Sequence, residues 1–402
     1  MADLQTNRVV LAECMKSVLF IVSNLESGGV SKSIVSLLNT IDRQRYNISL
    51  LVLNPAGLFM ELLPSDIRVI TNLDMVALSM KGAGAWALLR RGRISLALGH
   101  IVRMGLSCVN RAWAGWWLSR LMPTLEDNFD VAVDYNGQHQ LYYMVDKVRA
   151  KRKITFFHSD YDKWDYYRLM DTRYFPKVDN IFTVSQYCVD SLKRNFPQAA
   201  DRVACMENIS NATLIRSMSE LEVDDMVADV PIILTIGHIC RGKGADVAIR
   251  AASILKRECV QFRWYFLGQN SLDMDYESLI ERCGVQDRVC FLGLRANPYP
   301  YLKRSTIYVH PSLFEGRSIA LDEAKLLCKP IVVTNFSTVK DQFQDRVNGS
   351  ICEMSPESVA ESVAELLANE PLRQSYIKYL QSHCIDNCSE VDKLCKLFDV
   401  TG

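Results

Sequence analysis

Short apolar runs separated by amphipathic stretches recur along this chain, and two of them open on the same pattern. Residues 17–22 (SVLFIV) form a continuous, partly β-branched apolar run, followed by a polar glycine-bearing loop (SNLESGG) and a helical period over 30–41. Residues 232–236 (IILTI) form a second such run, followed by a loop with Gly237, Gly242 and Gly244 and a helical period over 245–256. A run that is apolar at every position predicts a strand buried on both faces, and the loop and helix after it predict a crossover to a parallel neighbour. Further strands are predicted at 49–53, 69–70, 131–134, 154–157 and 181–184, and then at 264–267, 289–292, 307–309 and 331–333. Helical stretches separate most of them. The predicted fold class is α/β, with two Rossmann-like, doubly wound parallel-sheet domains facing a central cleft.

At 402 residues the chain exceeds one ordinary core, in keeping with two domains. A polar, acidic stretch between 208 and 230, with a proline before the second apolar start, predicts the boundary. The expected organisation is a leader over 1–14, a first domain over 15–210, a linker over 211–229, a second domain over 230–380 and a helical tail over 381–402. Met15-Lys16 reads as a natural domain start, which is why 1–14 is set apart. Helices are predicted over 356–368 and 372–383, and the latter could cross back onto the first domain.

Composition narrows the class. The formal net charge is +0 and 49% of residues are hydrophobic, as in an ordinary globular protein without the footprint of a nucleic-acid binder. The 13 cysteines are irregularly spaced and include no Cys-x-x-Cys pair, so reduced thiols in the cytoplasm are expected rather than a zinc ribbon or a redox dithiol. His383, Cys384 and Cys388 lie close together, and a turn of polar helix explains them more simply than a metal site. Glu13 interrupts the N-terminal apolar stretch, no basic region precedes it, and no run of eighteen apolar residues exists, so neither a secretory signal nor a membrane span is read.

One segment departs from this average. Residues 80–122 carry seven Lys/Arg (Lys81, Arg90, Arg91, Arg93, Arg103, Arg111, Arg120), no Asp or Glu, and four of the six tryptophans: Trp86, Trp113, Trp116 and Trp117. Basic, amphipathic and aromatic together suit an anionic membrane surface. A helical layer packed on the first domain with arginines at its rim fits the same residues. Nucleic-acid binding would need a reader motif that is absent.

Candidate chemistry gathers after the predicted strands. In HPSLFEGRSIALDEAKLLCKPIVVTN (310–335), Glu315 follows a strand and Glu323 lies in the next helix, which suits the gripping of sugar and ribose hydroxyls. Two glutamates at this separation are common by chance, so the surroundings decide. Gly28-Gly29 separates the first strand from its helix, where a backbone without side chains can approach an anion or simply make the turn. Lys243-Gly244, with Arg241 two residues earlier, occupies the matching loop of the second half, and a cation there would neutralise a diphosphate. The Walker pattern is absent. His158 and Asp160 follow the strand at 154–157; the histidine could donate to a sugar hydroxyl, carry a proton, or serve as a packing residue. Gly-x-Ser-x-Gly, His-Glu-x-x-His and a full Gly-x-Gly-x-x-Gly are absent, which sets aside serine hydrolases, zinc proteases and dinucleotide oxidoreductases.

Together these residues resemble the retaining glycosyltransferases of family 4, whose fold is GT-B. The resemblance runs from about residue 15 to 381. It is strongest in GHICRGKGADVAIRAA, WYFLGQN, VCFLGLRANPYPYLKRSTIYVHPSLFEG and LDEAKLLCKPIVVTNFSTVKDQFQDRVNG. Glu315 and Glu323 fall on the family's paired-glutamate signature, and the Asn-Pro-Tyr and Asp-Glu-Ala-Lys wording is similar to bacterial enzymes of capsule, O-antigen and other polysaccharide assembly. The resemblance implies that Glu323 holds the ribose, that Glu315 and His158 contact the donor sugar, and that Lys243 binds the diphosphate. Gly316 would support sugar and phosphate at a helix start, and Gly28 and Gly29 would border the donor phosphates and the acceptor. Two departures stand out. His238 replaces the arginine that usually follows the strand glycine, and imidazole does not reproduce arginine's two-pronged donation, so Arg241 is the candidate to reach in instead. Arg317-Ser318 replaces an apolar-proline pair.

The implied reaction is transfer of a sugar, with retained configuration, from a nucleotide-diphosphate-sugar donor to a hydroxyl acceptor. The acceptor is expected to be a saccharide or lipid-linked saccharide of a growing surface polysaccharide, at the inner face of the plasma membrane. The donor is a substrate; no cofactor or metal is called for. A nucleotide-sugar epimerase of the same fold and a catalytically silent interaction subunit are the alternatives.

Overall fold

A computed structural model describes residues 15–26, 28–227, 229–383 and 386–400. The leader predicted over 1–14, and Cys384 of the His-Cys-Cys grouping, lie outside the described residues. The chain divides into two compact units, the first running to Glu207 and resuming at Ser389, the second spanning Asn208–Cys388.

The first unit is built on seven strands: β1 (Lys16–Asn24), β2 (Tyr46–Asn54), β3 (Arg68–Ile70), β4 (Asn128–Asp134), β5 (Arg149–Phe157), β6 (Asn180–Thr183) and β7 (Val203–Cys205). They form one parallel sheet in the order β3-β2-β1-β4-β5-β6-β7. Val18, Leu19, Phe20 and Ile21 of β1 are fully buried, as an apolar run covered on both faces requires. Phe20 pairs with Leu50 on one side and Val133 on the other.

The basic segment becomes the helices Ala83–Arg90, Ile94–Val109 and Arg111–Leu121. Leu88, Ala97, Ala112 and Leu118 join the core that contains Leu19 and Ile21, so this layer packs on the unit along one side. Trp117 is anchored there, its Nε1 donating to the Gly99 carbonyl (2.9 Å).

The second unit has six strands, β8 (Ile232–Ile236), β9 (Arg263–Leu267), β10 (Val289–Gly293), β11 (Ile307–His310), β12 (Ile331–Thr334) and β13 (Ser350–Cys352). They too are all parallel, in the order β10-β9-β8-β11-β12-β13. Each sheet therefore reverses its winding once, between β1 and β4 and between β8 and β11. In open sheets of this kind, ligands bind beyond the carboxyl ends of the strands at that reversal. The loops there follow β1 and β4 in the first unit and β8 and β11 in the second, and they hold most of the candidate residues.

Two short strands, β7 and β13, escape the sequence reading. Each has three residues at a sheet edge with one β-branched residue, where β3, equally short, has Val69 and Ile70 side by side. At the end of the chain, helix Glu370–His383 stays with the second unit, where Tyr376 Oη meets Ser350 Oγ (2.9 Å). Helix Val391–Asp399 completes the first unit instead. Phe398 lies edge-on to Tyr46 and Phe20 (centroids 5.2 and 6.3 Å), Lys16 Nζ donates to the Phe398 carbonyl (2.7 Å), and Tyr46 Oη donates to Asp399 (2.8 Å). Truncating a buried aromatic leaves a cavity as well as lost transfer energy. Phe398→Ala should thus destabilise the first unit by about 3–5 kcal/mol, read as a lower urea midpoint; an unchanged midpoint would show that this helix is not structurally committed.

Candidate functional site

The second unit brings Glu315 and Lys243 into direct contact, and glycine is the reason. Gly237 (φ +149°) ends β8, and Gly268, at the end of β9, lies so near its carbonyl that an added Cβ would stand 1.8 Å from that oxygen. Gly244 (φ +66°) has the Pro311 carbonyl where its Cβ would be, at 1.9 Å, and the Gly242 carbonyl accepts from Leu313 N (3.0 Å). The loop after β8 thus lies directly on the loop after β11, a closeness that any side chain at Gly244 would forbid.

Across this seam Glu315 Oε1 accepts three hydrogen bonds, from Lys243 Nζ (2.6 Å), His310 Nε2 (2.8 Å) and Ser312 Oγ (2.9 Å). A carboxylate acceptor places the imidazole proton on Nε2, leaving Nδ1 beside Tyr308 Oη (3.2 Å). Burial by itself would raise the Glu315 carboxyl, but the Lys243 ammonium and the His310 hydrogen bond outweigh it and hold the group well below the usual carboxylate range. Glu315 is therefore a fixed negative charge. Its three donors fall on Oε1, and Oε2 has no hydrogen-bond donor among the described residues.

Glu323 lies one helix further on. It is 1% exposed on helix Ile319–Leu326, and Tyr299 Oη donates to its Oε1 (2.8 Å). Burial and the neighbouring carboxylate push the Tyr299 phenol well above its ordinary range. The start of this helix is braced by the pair that departs from the family pattern. Arg317 Nε and Nη2 reach Asp322 at 3.0 and 3.3 Å, and Ser318 N donates to Gln342 Oε1 (3.1 Å) while Gln342 Nε2 donates to Asp322 (2.9 Å). Gly316 is buried between Glu315 and this brace. Arg241 and His238 are exposed. The Arg241 backbone N–H is held by Asp273 (2.9 Å), whereas its guanidinium makes no hydrogen bond among the described residues.

In the first unit, Gly28 (φ +91°) caps helix Gly29–Thr40, so Gly28-Gly29 forms the turn beyond β1. His158 follows β5. Its Nε2 donates to the Tyr135 carbonyl (2.9 Å), and its ring packs on Tyr135 (centroids 4.7 Å). A carbonyl acceptor places an imidazole proton on Nε2. Tyr135 is itself tied to the glycine-capped helix through Ser33 Oγ (2.7 Å), so the ends of β1, β4 and β5 are mechanically joined. Beneath them Asp134 accepts from Thr155 Oγ1 (2.6 Å) and from the Asn136 and Gly137 amides, and burial pushes its carboxyl up to about 7. Asp171, between Tyr142 and Tyr161, is pushed up to about 7 by burial in the same way.

His310, Ser312, Tyr299 and Asp134 are among the residues of these clusters that were given no role from sequence. His310 and Ser312 stood in the quoted HPSLFEG string at a strand's end, and Tyr299 closes the quoted Asn-Pro-Tyr, so a signal existed for all three; nothing local marks Asp134. Two Asp-x-Asp sequences also occur. Asp160 caps a short turn, and Asp162 pairs with Arg194 (2.8 Å). Asp273 takes the Arg241 amide, and Asp275 caps the helix from Tyr276.

Two doubly wound parallel sheets with these loops at their reversal points define the GT-B fold. Comparison with known proteins agrees. The model of the family described as "Glycosyl transferases group 1" matches residues 222–383, the stretch that holds both loops and both glutamates. The N-acetylgalactosamine-N,N'-diacetylbacillosaminyl-diphospho-undecaprenol 4-alpha-N-acetylgalactosaminyltransferase of Campylobacter jejuni is 26% identical over 204 residues, 50% of this chain and 54% of that protein. The alpha-D-kanosaminyltransferase of Streptomyces kanamyceticus is 25% identical over 207 residues, 49% and 53% of the two chains. The chain thus spans about half the length of these curated relatives. The crystal structure of Anabaena HepE in complex with UDP and glucose aligns with a TM-score of 0.69 at 15% identity, covering 95% of this chain and 99% of that one. The chain is a GT-B protein related to sugar transferases.

The charge state of Glu315 can be read from stability. Its folded-state carboxyl lies below the ordinary value of 4.5, so its contribution is present above that pH and is lost as pH falls through the acid range. Glu315→Gln should therefore be less stable than wild type at about pH 6, and the gap should narrow towards about pH 3. A pH-independent gap in urea unfolding would mean that the carboxyl is not ionised when folded.

Proposed function

We propose that the protein is a retaining glycosyltransferase of the family 4 type, moving a sugar from a nucleotide-diphosphate-sugar donor to a hydroxyl acceptor. The observation that carries this reading is the ionised Glu315 held by Lys243 at the carboxyl edge of the second sheet, one helix before the buried Glu323. Glu323 holds the ribose hydroxyls, which would replace or join the Tyr299 hydroxyl now bonded to it. Glu315, through Oε2, accepts from a donor-sugar hydroxyl near the reacting carbon. Lys243, already beside one anion, has the diphosphate as its second partner, with Arg241 and the amides around Gly316 adding to the positive field. Such fixed charges stabilise a leaving diphosphate without reorganisation. His158 contacts the donor sugar, and Gly28 and Gly29 border phosphates and acceptor.

In the reaction, the bond from the sugar's anomeric carbon to the phosphate oxygen breaks, and a bond to the acceptor oxygen forms on the same face. The acceptor's proton passes to the leaving phosphate oxygen. The HepE complex, which holds UDP and glucose, supports a uridine donor. The Campylobacter relative, named for a diphospho-undecaprenol saccharide, supports a lipid-linked acceptor in surface-polysaccharide assembly, and with it an enzyme in the cytoplasm at the inner face of the membrane.

The direct test incubates the protein with UDP-sugars, with and without a lipid-linked saccharide acceptor. Acceptor-dependent release of UDP and a new glycoside with the donor's anomeric configuration is the expected result. Isomerised donor in the absence of acceptor would instead mark an epimerase. Glu323→Ala should weaken UDP binding by about 1–3 kcal/mol in calorimetry, the scale of lost charged hydrogen bonds, with folding checked by its melting point. Lys243→Ala should weaken UDP much more than uridine; equal losses for both would remove Lys243 from the diphosphate.

A further inference from the structure

The helix Ile94–Val109 presents to solvent Ile94, Leu98, Ile101 and Val102, which are 50–62% exposed, and Val109, which is 85% exposed. The first four stand at spacings of three, four, seven and eight and so form one contiguous stripe. The helix has one Lys/Arg side chain, the half-buried Arg103, whose Nη2 donates to the Met80 carbonyl (3.3 Å), and one histidine, His100, which is buried. The exposed face therefore carries no charge. Trp86 and Leu89, 59% and 41% exposed, add apolar surface on the preceding helix, which packs against this one. Large apolar patches without a partner are uncommon on soluble proteins.

The rim of this patch says what kind of partner fits. Lys81 and Arg90 are exposed, with Arg90 lying over the Trp86 ring (5.4 Å). Arg91 and Arg93 stand beside them, sharing the single carboxylate of Asp74 at 3.4 and 3.2 Å. Across residues 80–122 there is no acidic residue to repel an anion. A protein partner could match the apolar stripe, but apolar stripe, interfacial tryptophan and a rim of four cations that shares one carboxylate together match the layered chemistry of a lipid surface with anionic headgroups. No helix among the described residues is long and apolar enough to cross a membrane.

We infer that this face docks the first unit onto an anionic lipid bilayer, with Leu98, Ile101 and Trp86 entering the headgroup boundary and Lys81 and Arg90 meeting the headgroups. The docking does not depend on the transfer reaction. The test is co-sedimentation of the full chain with phosphatidylcholine vesicles, with and without phosphatidylglycerol, at low and high salt. Wild type should pellet with the anionic vesicles and be released by salt. Leu98→Glu/Ile101→Glu should bind at least about tenfold more weakly, since it places charge in the apolar boundary. Lys81→Glu/Arg90→Glu should lose only the preference for anionic vesicles. Melting temperature and UDP affinity should stay at wild-type values in both. Absence of wild-type binding at low salt, or wild-type binding by both variants, would overturn the inference. So would a dimer in analytical ultracentrifugation that Leu98→Glu/Ile101→Glu dissolves, because a second copy would then cover the face.

Discussion

A carboxylate kept charged in a nearly dry place is the constraint on which the second unit turns. Burying Glu315 as an anion costs several kcal/mol unless cations and hydrogen-bond donors surround it. Lys243, His310 and Ser312 supply them, but they come from two loops more than sixty residues apart in sequence. Those loops meet because β8 and β11 are neighbours in the sheet and because Gly244 has no side chain to hold Pro311 away. Topology, backbone conformation and charge thus converge on one place. The Arg317-Asp322-Gln342 brace extends the same logic to the helix that carries Glu323.

The first unit handles buried carboxyls differently. Asp134 and Asp171 lie among hydroxyls and amides, with no cation bonded to them among the described residues, and burial lifts both towards neutrality. Such groups hold a framework: Asp134 fixes the Asn136-Gly137 turn that carries the carbonyl on which His158 rests. One sheet therefore presents a permanent negative charge paired with a lysine, and the other an oriented imidazole. The fixed ion pair thus lies in the second unit and the oriented imidazole in the first.

Much of this was legible in the residues themselves. Most of the eleven strands read from the residues announced themselves because a parallel strand covered on both faces must be apolar throughout; β3, at a sheet edge and largely exposed, did so only through Val69 and Ile70. The edge strands β7 and β13 did not, since each holds one β-branched residue where β3, of the same length, holds two. Glu315, Lys243 and Glu323 were visible from their places after strands and glycines, but the contact between Lys243 and Glu315 was not, because it depends on which strands become neighbours. Tyr299 as the partner of Glu323 is a long-range contact of the same kind. The basic segment was read as either a packed layer or a membrane-facing helix. Its buried side carries Leu88 and Ala97 in the core, while Leu98 and Ile101 are left outside.

Hydrogen–deuterium exchange of the protein with and without UDP tests most directly whether the Lys243–Glu315 seam receives a nucleotide diphosphate. Slower exchange confined to the amides around 237–244 and 311–323 is the predicted result. Protection elsewhere, with these two loops unchanged at saturating UDP, would contradict it.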